Sequence, residues 1–286
     1  MKLILKISDF LLSTYLFIAS AAACLVLETT ILLTGKLQFT ATSMLVFFST
    51  ILIYNFHRVS ALFSDRFFSL PAFLDRSKKI PLSIKIMTGI ALAGILISVT
   101  FVNIKTMFII LPLALLTFAY SVPLMKVKGE IKRLRELFLV KITTLAFVWS
   151  IATVTLPMVD SGINALSESA IAIFTERFLF MFAICVPFEI RDLDQEKNWG
   201  NTTLPLMIGV NGSKIIGIAA LFLFCLFTYI QFTENIYSPP LFISAGLAAL
   251  LILFSNQNRN HYYFRVFVDG TMQLQFILLI LFINYQ

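Results

Sequence analysis

An all-α fold, a single-domain polytopic bundle of about nine transmembrane helices, is predicted for this chain by its composition, by the length of its apolar runs and by the distribution of its cations. Of the 286 residues 59% are hydrophobic and 13% charged, with a mean hydropathy of +0.91. Ordinary soluble domains carry about 25% charged residues, so a water-soluble globule is excluded. The apolar residues come in continuous blocks of about 20, the length a helix needs to cross about 30 Å of hydrocarbon. A transmembrane barrel would instead show alternating segments of about 10 residues.

Polar breaks divide the chain into nine candidate spans, at about 10–33, 40–63, 82–102, 105–124, 137–158, 170–189, 213–232, 238–255 and 264–283. The first continues past the small-residue stretch Ala21 to Cys24, so it reads as a span rather than a cleaved signal. The fourth and sixth contain Pro112 and Pro187, where kinks are expected. Cys24, Cys185 and Cys225 lie inside apolar runs and behave there as small hydrophobes. His57 and His261 stand in no metal-ligand spacing and read as interfacial side chains.

The alternation of spans places 19 of the 22 Lys and Arg on one side, leaving Lys36, Lys105 and Arg177 on the other. By the positive-inside rule the amino terminus and the charged loops are cytoplasmic, and an odd number of spans puts the carboxyl terminus outside. A cell inner membrane is the expected location. The net charge of +7 then reflects topology and anionic lipid, with no nucleic-acid partner implied.

The chemistry concentrates at the end of the sixth span, in Glu189-Ile-Arg-Asp-Leu-Asp-Gln-Glu-Lys-Asn-Trp-Gly-Asn-Thr-Thr-Leu-Pro205. Glu189, Asp192 and Glu196 fall at i, i+3 and i+7, one face of a continuous helix. Converging carboxylates repel unless a cation lies among them, and Mg2+ is usually held by carboxylates together with substrate phosphates. A solvated loop with internal ion pairs is the competing reading of the spacing.

This stretch resembles the second aspartate-rich motif of the UbiA family of intramembrane prenyltransferases, Asp-x-x-Asp-x-x-x-Asp followed by Gly-x-x-Thr-Leu-Pro, with Glu189, Asp192 and Glu196 and then Gly200, Thr203, Leu204 and Pro205. Tyr120-Ser-Val-Pro-Leu-Met-Lys126 resembles the family's Tyr-Ser-x-Pro segment with its following basic residues. The first motif departs from the pattern. Asn55 is kept, but Phe56, Val59 and Phe63 stand at the three acidic positions.

The resemblance implies a central cavity and transfer of an isoprenoid chain from a polyprenyl diphosphate to a small lipophilic acceptor, such as a quinone or tetrapyrrole precursor. It implies Mg2+ at Glu189, Asp192 and Glu196, with Asn55, Arg58, Tyr120, Lys126, Arg191 and Lys197 on the diphosphate, and catalytic roles for Asp192, Asn55 and Arg58. Arg58 lies one turn from Asn55, and either its fork holds phosphate oxygens in place of the missing carboxylates or it snorkels to the interface as a topology charge. Asp65 would fall near that face if the helix continued. Loss of the first motif's acids leaves open a non-catalytic protein that binds an isoprenoid lipid. A transporter is the weaker alternative, resting on the intramembrane Asp269, for which Arg265 one turn earlier is the expected ion-pair partner.

Overall fold

A computed structural model describes residues 2–61, 80–122, 125–127, 130–132, 134–137, 139–232 and 236–284. The elements are α1 (Lys2–Ser13), α2 (Leu16–Thr34), α3 (Ala41–Ala61), α4 (Leu82–Val99), α5 (Ile104–Ser121), a hairpin of β1 (Met125–Val127) and β2 (Glu130–Lys132), α6 (Val140–Asp160), α7 (Glu168–Arg191), the short α8 (Leu193–Asn198), α9 (Leu204–Gln231), α10 (Ser238–Leu253) and α11 (Tyr263–Asn284). Phe63 and Asp65 lie outside the described residues.

Seven of these helices are long and apolar enough to cross a membrane: α2, α4, α5, α6, α7, α9 and α11. The chain is an integral multi-pass membrane protein. Beside these seven stand α3, whose last turns carry Asn55, His57 and Arg58, and α10, apolar but 16 residues long. Large side chains on α4 and α5, among them Leu96, Ile97, Phe108 and Leu111, point outward. Such exposure suits hydrocarbon rather than water.

Helices in lipid associate through close packing rather than hydrophobic gain, and small residues make that possible. Ala19, Ala21 and Ala22 of α2 and Ala245 and Ala248 of α10 are almost fully buried. At Gly94 of α4 a Cβ would come 2.3 Å from the Phe48 ring of α3, so only glycine allows that approach. The main core joins α2, α6, α7, α9, α10 and α11 through residues such as Leu25, Trp149, Phe180, Phe224, Leu241 and Met272.

Polar tethers fix the bundle at several depths. Toward the end of α2, Glu28 Oε1 accepts from Arg177 Nη2 of α7 at 2.7 Å, with both side chains buried. At the face where α3 and α5 begin and α6 ends, Asp160 accepts from Thr42 and, at 2.8 Å, from the backbone N–H of Asn103.

The helices run through Pro112 and Pro187 without interruption. The irregularities lie elsewhere. Within α6, Ile151–Thr155 forms a π turn just before Pro157, which cannot donate a hydrogen bond to the preceding turn. A second π turn, Tyr263–Val268, opens α11. Helix α9 starts at Leu204, earlier than the apolar run indicates, and breaks at Gly209, whose φ of +75° is open to glycine.

Candidate functional site

Successive spans alternate in direction, so the start of α2, the ends of α3, α5 and α7, and the starts of α6, α9 and α11 meet at one face of the bundle. There a cavity of about 960 Å³ opens between α2, α3, α5, α6, α7 and α11. Its mouth carries Arg58, Tyr120, Lys141, Glu189, Arg191, Asp192, His261 and Arg265, with Asp9 and Ser13 contributed by α1. Deeper, the wall turns apolar through Ile110, Leu113, Leu145, Val148, Trp149, Ile184 and Met272. A charged head and an apolar tail would therefore find separate surroundings in one continuous space.

Several mouth residues are held by their neighbours. Arg191 donates to both oxygens of Asp192, at 2.7 and 3.0 Å, and its guanidinium lies 5.0 Å from the Phe188 ring and 5.4 Å from that of Phe264. Such a fork against aromatic faces is fixed in place before any ligand arrives. Arg58 Nη1 donates to the Ser13 carbonyl at 3.2 Å. His57 Nδ1 lies 2.7 Å from Ser121 Oγ. Tyr262, outside the spans, donates to Asp9, which holds the phenol's pKa above its ordinary value. Tyr15, on the cavity wall, takes a left-handed φ of +61°, a strained conformation for a bulky residue.

The three motif acids are not gathered around one cation position. Helix α7 ends at Arg191, and Asp192 caps the junction to α8 with φ −86° and ψ 2°, so the continuous-helix register does not carry through to Glu196. Glu189 and Asp192 reach the cavity wall, whereas Glu196 faces a small recess behind it with Asn201 and Thr203. Lys141 of α6 binds Glu189 at 2.9 Å and Glu196 at 2.7 Å, and Asn201 Nδ2 donates to the other Glu196 oxygen at 2.7 Å. Among the described residues no three Asp, Glu, His or Cys side chains gather as a metal ion would need. This donor set does not fit a cation held chiefly by the motif carboxylates.

The other expected residues divide. Arg58, Tyr120 and Arg191 line the cavity. Asn55 does not: it is 1% exposed, with neither side-chain polar atom hydrogen-bonded within the described residues, because Tyr54, His57 and Arg58 hold the cavity face of α3. Lys197 is exposed on α8, away from the cavity. Lys126 pairs with Ile131 in the hairpin, and its side chain lies outside what is described. Asp269 and Arg265 both line the cavity, and no ion pair joins them. Sequence reasoning missed Lys141, which carries no motif signature; His57 and His261, read as interfacial side chains, both line the cavity.

No protein-family model matches the chain, and no curated protein matches it in sequence. Two solved structures match in fold. One is a UbiA homolog from Archaeoglobus fulgidus bound to GPP and Mg2+, 14% identical, with a TM-score of 0.62, covering 95% of this chain and 99% of that one. The other is a digeranylgeranylglyceryl phosphate synthase, 16% identical, with a TM-score of 0.54, covering 99% of each chain. The chain has the UbiA-type fold over nearly its whole length, which agrees with the resemblance read from its motifs.

Proposed function

We propose that this chain is an intramembrane prenyltransferase, moving an isoprenoid chain from a polyprenyl diphosphate to a small lipophilic acceptor at the cytoplasmic side of a cell inner membrane. One observation carries the reading: a single cavity joins a mouth rich in arginine to an apolar interior beside Trp149. The diphosphate lies against Arg58 and Arg191, whose forks match phosphate oxygens, with Tyr120 on the facing wall. The tail extends between α2, α6 and α7.

In the reaction the bond from the first prenyl carbon to the diphosphate oxygen breaks, and negative charge builds on the leaving group. The Arg191 guanidinium, already fixed by Asp192, Phe188 and Phe264, stabilises that charge without reorganising, and Arg58, held by the Ser13 carbonyl, adds to it. The cationic carbon develops near the faces of Tyr54 and Phe188, and the apolar wall keeps water from intercepting it.

A binding protein without turnover is the second reading, favoured by Phe56 and Val59 at acidic positions of the first motif. Incubating the purified protein with labelled polyprenyl diphosphates and candidate aromatic acceptors separates the two. The enzyme releases diphosphate and forms prenylated product, and Asp192→Ala, which frees Arg191 from its anchor, lowers the rate by about tenfold or more. Tight binding with no diphosphate release would establish the second reading.

A further inference from the structure

We propose that the Lys141 ammonium is a built-in cation that takes the neutralising place of a metal ion between Glu189 and Glu196, so that a prenyl diphosphate is received without divalent metal. The inference rests on the diphosphate-binding reading above and specifies how that site is charged.

The three residues come from three elements, α6, α7 and α8, and meet at 2.9 Å and 2.7 Å. The two glutamate side chains are 5% and 9% exposed and that of Lys141 is 23% exposed, so the ammonium closes the pair from the cavity side. An ammonium has three donors, and two of them meet these carboxylates. A divalent ion bridging the same oxygens would stand against the ammonium at close range. Its entry would require Lys141 to leave, stripping a partly buried cation of both partners, which is strongly unfavourable. Asn201 occupies the remaining Glu196 oxygen, and Arg191 occupies both oxygens of Asp192. On the facing helix Phe56 and Val59 supply no donor. The substitution of carboxylates on α3 and the presence of Lys141 between those on α7 and α8 thus act in one direction, replacing mobile metal charge with covalently attached charge.

The test uses the full-length protein in detergent micelles, with geranyl diphosphate and Mn2+ as probes. In calorimetric titrations the wild type should bind geranyl diphosphate with affinity changing less than about threefold between excess EDTA and added Mg2+. Its spin-resonance spectrum should show no bound Mn2+ in the absence of ligand. Lys141→Met should lose about tenfold or more of its metal-free affinity, acquire Mn2+ binding, and recover affinity when Mg2+ is added. Adding Glu189→Gln and Glu196→Gln to that variant should abolish the acquired Mn2+ site. Wild-type binding that needs Mg2+ would overturn the inference while leaving the diphosphate reading intact. No geranyl diphosphate binding under either condition would overturn both. The wild-type titrations decide the matter even if Lys141→Met fails to fold.

Discussion

Replacing Arg177 with Met should destabilise the fold by about 3–5 kcal/mol, because it leaves the Glu28 carboxylate buried with no counter-charge. The pair joins α2 to α7 at 2.7 Å, with side chains 3% and 1% exposed. Glu176 and Gln275 line the same recess, each with a side-chain oxygen that has no hydrogen bond among the described residues, and no second cation lines it to replace the guanidinium. The double replacement Glu28→Gln with Arg177→Met should recover most of the loss, since an uncharged amide costs far less to bury than a lone carboxylate. Thermal unfolding of the two variants in the same detergent gives the comparison. Equal stability of the single and double variants would show that the pair does not act as a unit.

The largest effect on activity should come from Arg191→Ala, expected to lower kcat/KM for the prenyl diphosphate about 100-fold, or ~2.7 kcal/mol of transition-state stabilisation. Two losses combine in that change. The fork stacked on Phe188 and Phe264 disappears, and Asp192, released from its bidentate partner, presents a bare negative charge to the incoming diphosphate. Arg191→Lys should recover only part of the activity, because an ammonium cannot reproduce the planar, two-bond geometry. Steady-state kinetics separates this from a folding defect: unchanged turnover in a well-folded Arg191→Ala protein would remove Arg191 from the site.

The helices were legible in the sequence because lipid imposes a length and an apolarity that composition alone reveals. The meeting of charged helix ends at one face followed from alternating spans, and it placed Arg58, Tyr120, Glu189, Arg191 and Asp192 around one cavity. What failed was angular detail. The i, i+3, i+7 argument assumes an unbroken helix, and the break at Asp192 turns Glu196 toward a recess on the far side of Lys141. Asn55 and Arg58 share a face by spacing, yet the phase of α3 puts the boundary of the cavity between them. Lys141 and Arg177 were counted only as topology charges. Nothing local distinguishes a lysine at the membrane surface from one clamped by two glutamates, because the partners are 48 and 55 residues away. The π turn before Pro157 did have a signal, the missing N–H of that proline, whereas that of Tyr263–Val268 has none in its residues.

The central claim is that the cavity behind the cationic mouth holds a prenyl diphosphate, and Trp149 on its wall reports on that directly. The other tryptophan, Trp199, is 60% exposed and can be replaced by Phe to leave Trp149 as the single emitter. Titrating Trp199→Phe protein with geranyl diphosphate should give a saturable change in Trp149 emission that inorganic pyrophosphate competes away and that Arg58→Ala with Arg191→Ala abolishes. Emission that stays constant through the titration, or that responds equally to geraniol and survives the double arginine replacement, would contradict the account.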